Sequence, residues 1–135
     1  MLRDVGAFVA GMVVGMVANM GLIEVSMLLH PPPPGYDPSD QAQVTAFIES
    51  LPATGFAMAM LAHLAQAFFG GLVGASVSRE RPMHVALAIG GFTMLGGIAM
   101  MMMVRHPVWM YAELPLYWVC AWGAAKLVLA RRAVP

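Results

Sequence analysis

Four apolar stretches, each about as long as a bilayer is thick, govern what this chain can fold into. A hydrocarbon core of about 30 Å is crossed by roughly 20 residues of helix rising 1.5 Å each, and lipid offers no partner to an unpaired backbone group. The stretches cover about 5–29, 53–77, 83–104 and 108–130. Residues that stop helices bound them: Pro31 to Pro34, Leu51-Pro52, Ser78 to Pro82, and Arg105-His106-Pro107. Proline brings no amide donor and cannot continue a helix. Of the 135 residues 60% are apolar and 10% charged, more hydrocarbon than one small water-soluble core would bury. The expected fold is an all-α membrane protein, a four-transmembrane-helix bundle forming a single domain over 1–135 with an outer loop at 30–52.

Charge and cysteine usage exclude other classes. Seven basic residues balance seven acidic ones, so no basic surface for nucleic acid is expected. One cysteine, Cys120, excludes a disulfide framework and a Cys-rich metal site within the chain. The first stretch follows Arg3 and contains Val17-Ala18-Asn19, loosely like a cleavage site, but its apolar run reaches Leu29, so an uncleaved anchor is expected.

Positive charge stays on the cytoplasmic side of membrane spans. Arg3, Arg79, Arg81, Lys126, Arg131 and Arg132 fall on one side, Arg105 on the other. Both termini are therefore expected to be cytoplasmic, in a bacterial inner membrane, with Asp37, Asp40 and Glu49 outside. Within the outer loop, Gln41 to Ser50 is expected to form a short amphipathic helix capped by Ser39 or Asp40. Trp109, Tyr111 and Trp118 fall in the outer part of the fourth stretch, where amphipathic rings are expected.

Helices associate in lipid where small residues let backbones approach. In the second stretch, Ala59, His63, Ala67, Gly71, Ala75 and the adjoining row Ala62, Gln66, Gly70, Gly74, Ser78 form a small and polar face, with Leu61, Leu64, Phe68 and Leu72 largely opposite. Gly11, Gly15 and Asn19 make a similar row in the first stretch, and Gly90, Thr93 and Gly97 in the third. Packing within a bundle is the leading explanation. A remaining small face would serve a homo-oligomer or contact with other membrane subunits.

Intramembrane polar groups each need a reason. Counted from His30 and Pro107, Glu24 and Glu113 both lie about 9 Å deep, close to Arg105 and His106. That depth suggests an ion-pair cluster with Arg105; without the cation, one carboxyl of the two would hold a proton. Asn19 and His63 lie deeper, about 16 Å down, where they are placed to hydrogen-bond across helices with Gln66 or Thr93 adding to the network. Such a bond is worth roughly 0.6 to 2 kcal/mol. The sharper alternative is a proton or substrate path from Glu24 and Glu113 to His63. Glu113 also shares a helical face with Tyr117, Cys120, Ala121 and Ala124, and Pro115 is expected to interrupt that helix and free a carbonyl.

Fourteen methionines raise a Cu(I) possibility, because Met12, Met16 and Met20 repeat at one-turn spacing and His30 follows. Met100 to Met103, however, point all around their helix, as flexible core filler does. A harder site from Glu24, His30, His106 and Glu113 lacks the spacing that would fix the four together. No catalytic triad, phosphate loop or dinucleotide fingerprint is present, and no cofactor is implied.

Glu24 ahead of Pro31 to Pro34, Gly35-x-Asp37-Pro38, Leu51-Pro52, Gly70-Gly71 and His106-Pro107-x-Trp109 together resemble a group of short bacterial four-span membrane proteins, over nearly the full length. The resemblance implies topology and a bacterial inner membrane, and carries no activity. Where that group often has Gly-His about a turn after the glutamate, this chain has Met27-Leu28, so no helix-one histidine role carries over. Function is therefore expected to be structural or accessory, in an oligomer or a larger membrane complex. A small proton- or metal-coupled transporter using Glu24, Glu113 and His63 is the alternative, and a lipid- or quinone-binding enzyme with a cavity at Glu113 and Pro115 a further one.

Overall fold

A computed structural model describes residues 2–133, so residues 1, 134 and 135 of the expected domain lie outside the described chain. The described residues form helices α1 (Leu2–Leu29), α2 (Gln41–Ser50), α3 (Ala53–Val77) and α4 (Pro82–Met103), a 3-10 segment (Val108–Ala112), and α5 (Glu113–Arg132). Helix α1 stops two residues before the proline run. Gly35 takes a positive φ of 81° that turns the chain back toward α2. Asp40 caps α2 by accepting from the amides of Ala42 and Gln43. Pro82 opens α4, where its missing amide needs no partner.

Helices α1, α3 and α4 are long and apolar enough to cross a membrane. The fourth expected span differs. Its first five residues wind as the 3-10 segment, and α5 begins only at Glu113 and carries Glu113, Lys126, Arg131 and Arg132. Pro115 thus sits in the first turn of α5, where a missing amide is normal, rather than breaking a helix. The indole N–H of Trp118 donates to the sulfur of Met94, midway along α4.

Helix α3 is central, touching α1, α4 and α5. The glycine rows are spent on these contacts. A Cβ at Gly11 would come 2.5 Å from the carbonyl oxygen of Gly70, one at Gly15 2.5 Å from that of Gln66, and one at Gly74 2.5 Å from Ile89. On the other side Gly71 meets Ala121, and Gly90 meets Ala121 and Tyr117. The large side chains Leu61, Val9, Val13, Val17 and Leu95 face outward. Small inside and greasy outside is the pattern expected of helices packed in lipid, where burial of apolar surface supplies little drive and close backbone contact supplies more.

One end of the bundle is tied by polar contacts. Arg132 donates to the carbonyls of Ala75, Ser76 and Ser78 at 2.9, 2.8 and 3.0 Å, and Arg3 donates to Val77 at 2.9 Å. Carbonyls at a helix C-terminus have no intrahelical partner and carry partial negative charge, so two guanidinium groups there satisfy both needs. Ser78 donates to Asp4 at 2.7 Å. Both ends of the described chain therefore meet at the α3–α4 connection.

Candidate functional site

At the opposite end the helices stay apart. A cavity of about 530 Å³, partly open to the surroundings, separates α1 from α4 with α3 behind it. Closer to the arginine-tied end the two outer helices touch again, with the rings of Phe8 and Phe92 edge to face at 5.9 Å. Val44, Phe47 and Ile48 face the cavity from α2. Their i, i+3, i+4 spacing makes the apolar stripe of an amphipathic helix, as expected for this segment.

Most of the wall is hydrocarbon, including Met12, Met16, Ile23, Phe92 and Met100. Its polar members are Asn19 and Ser26 on α1, His63 and Gln66 on α3, Thr93 on α4 and Tyr117 on α5, with His30, Tyr36 and His106 toward α2. Thr93 is satisfied by donating to Ile89 one turn back, at 2.9 Å.

Behind the wall sits Glu113, 1% exposed. It accepts from the Tyr117 hydroxyl at 3.0 Å, and its other oxygen lies 3.4 Å from His63 Nδ1. Tyr117 lies one turn along α5 from Glu113, and side chains lean toward the helix N-terminus, so its phenol reaches back to the carboxylate. Gly97 makes that geometry possible, because a Cβ there would fall 2.5 Å from the Tyr117 oxygen. Two donors on one carboxylate are what a buried charge requires in low dielectric.

An ionised Glu113 only accepts, which would put the ring hydrogen of a neutral His63 on Nδ1 and leave Nε2 as an acceptor. No buried side-chain nitrogen or oxygen among the described residues lacks a partner. His63, Asn19 and Gln66 all line the cavity. Inside a bilayer such groups need water or the polar end of a ligand.

Sequence depth placed His63 and Glu113 in separate tiers; the structure joins them. A 3-10 segment rises about 2.0 Å per residue instead of 1.5, which carries Glu113 deeper than an α-helix would. Glu24 does not join them: it is exposed on the outward side of α1 with Val17 and Met20. Arg105, also exposed, lines a separate surface recess with Glu49 and is no partner to Glu113. The expected cluster of Glu24, Glu113 and Arg105 is thus replaced by Glu113 with His63 and Tyr117. The cavity required by the enzyme alternative at Glu113 and Pro115 is not this one, which Tyr117 lines and those two residues do not.

Met12 and Met16 line the cavity, but Met20 is 59% exposed away from it, so the methionine row does not converge. No group of three or more His, Cys, Asp or Glu placed to hold a metal occurs among the described residues. His30 instead donates from Nδ1 to the Ser26 carbonyl at 3.3 Å and accepts from the Thr54 hydroxyl at 3.0 Å, joining α1 to α3. His106 donates to the Val104 carbonyl at 2.6 Å and stacks edge-on against Phe56. Thr54 and the cavity-facing stripe of α2 were not singled out in the sequence; a period count over 41–50 would have found the stripe.

No protein-family model matches this chain, and no similar curated protein or solved structure was found.

Proposed function

We propose that this chain is an integral membrane protein that holds a lipid-soluble small molecule in the cavity between α1, α3 and α4. In this reading all four long helices cross a bacterial inner membrane, with Arg3, Arg131 and Arg132 on the cytoplasmic side. The carrying observation is the pairing of a largely apolar cavity of about 530 Å³ with the polar side chains of Asn19, His63 and Gln66 in its wall. Ligand sites have that makeup: hydrocarbon walls that bury most of the molecule and a few polar groups that orient it.

Organic extraction of protein purified in mild detergent, followed by mass analysis, tests this. Wild-type protein is expected to release a stoichiometric lipid-soluble compound. Ala59→Phe, which fills the cavity, is expected to lose it, whereas Ala57→Phe on the exposed face keeps it. Identical extracts from all three would reject the proposal.

A second reading, proton-coupled transport, is favoured by one observation: the buried Glu113–His63 pair borders the cavity. In reconstituted vesicles Glu113→Gln and His63→Ala then abolish flux while Glu24→Gln keeps it, and unchanged flux in the first two ends this reading. An oligomer or accessory subunit packed through Gly11, Gly15, Gly70, Gly71, Gly74, Gly90 and Gly97 draws no support, because those glycines are occupied by contacts within the chain.

A further inference from the structure

We infer that the cavity selects an amphiphile with a hydroxyl head, whose O–H donates to His63 Nε2. The inference rests on the cavity being a ligand site and adds the chemistry of the ligand. His63 Nδ1 lies 3.4 Å from the Glu113 carboxyl; with that carboxyl ionised and the imidazole neutral, the single ring hydrogen sits on Nδ1 and Nε2 presents a lone pair. Carboxylates orient imidazole tautomers in the same way in metal and catalytic sites. Glu113 is itself held by Tyr117 and shut off from solvent at 1% exposure, so the arrangement is fixed before any ligand arrives.

A lone acceptor at the wall discriminates by chemistry. A hydroxyl satisfies Nε2, while an ether or ketone oxygen of the same shape brings a second acceptor against it and leaves Nε2 unpaired. Sites built to bond a hydroxyl reject the analogue without one more strongly than apolar pockets reject a change of size. The amides of Asn19 and Gln66 also face the cavity and can donate to the same oxygen's remaining lone pairs. Hydrocarbon from Met12, Met16 and Phe92 lines the rest. Glu113 does not line the cavity and acts through His63, as a positioning residue.

Equilibrium binding to the full chain in nanodiscs tests this with four probes: farnesol, hexadecanol and the methyl ether of each. We expect each alcohol to bind at least about tenfold tighter than its ether, the equivalent of about 1.4 kcal/mol. The stronger of the two alcohols tells whether the natural source is isoprenoid or acyl. His63→Phe is expected to erase the preference while keeping ether affinity. In Glu113→Gln, nitrogen NMR of the imidazole should show the single Nδ1–H tautomer giving way to a mixture, with the preference reduced. Alcohol and ether binding equally to wild-type protein, both displaced by Ala59→Phe, would overturn the hydroxyl inference and leave the cavity reading standing. Binding of neither would remove both. The wild-type comparison decides even where a variant fails to fold.

Discussion

Gly11 and Gly70 lie backbone to backbone, and the space between α1 and α3 holds no methyl group. The Cβ of Gly11→Ala would sit 2.5 Å from the Gly70 oxygen and equally close to Ile89 Cδ1. Overpacking of this kind destabilises by about 1–3 kcal/mol. Gly6 and Gly21 on the same helix face open space, so alanine there is expected to be neutral or mildly stabilising. Thermal unfolding in detergent checks the contrast; equal effects at Gly11 and Gly21 would mean that α1 does not pack as described. Tyr117→Phe removes a donor from the buried carboxylate and is expected to cost about 1–3 kcal/mol in the same assay, with Gly97→Ala also destabilising because it crowds that hydroxyl. At this scale the sequence was informative about packing and weak about polar partners. Small residues at four-residue spacing announce a close face whatever the neighbour is. Which donor reaches Glu113 depends on helix rotation and depth, which one chain's spacing leaves open.

Helix α2 stands over the cavity on its own cap. Asp40 is held below the ordinary carboxyl value of 3.8, first by the Gln43 side chain and then by the amides of Ala42 and Gln43. Asp37 is lowered likewise by the Ser39 hydroxyl and amide. Carboxyls lowered in the folded loop contribute fully above the ordinary value, and the contribution is lost as pH falls through the lowered one. Amide protection over 41–50 is therefore expected to be flat from neutral pH into the mildly acidic range and to drop only below the ordinary carboxyl value of 3.8. Asp40→Ala should lower it at every pH; protection independent of both would show that α2 is held by other contacts. At the far end, Arg132→Ala frees the carbonyls of Ala75, Ser76 and Ser78 and is expected to destabilise by about 1 kcal/mol. The span boundaries of α1, α3 and α4 were legible to within three residues at each end because proline and charge punctuate them. The 3-10 segment was not, since Val108 to Ala112 are as apolar and helix-compatible as the residues after them. That change of rise accounts for only part of the approach of Glu113 to His63.

As a whole, the molecule is closed at one end by arginines on helix carbonyls and held open at the other by a cavity with a polar back wall. Bundle architecture and membrane character were readable from hydropathy alone; the cavity was not, because it arises where α1 and α4 fail to meet, and no residue type encodes an absent contact. The central claim is that polar groups on Asn19, His63 and Gln66 line that space to receive a lipid-soluble guest. The most direct measurement is a high-resolution structure of the protein in lipid nanodiscs prepared from native membranes. Elongated density between α1 and α4, with its polar end against His63, is the expected result. Closure of α1 onto α4, with Asn19, His63 and Gln66 bonded to one another and no guest, would contradict it.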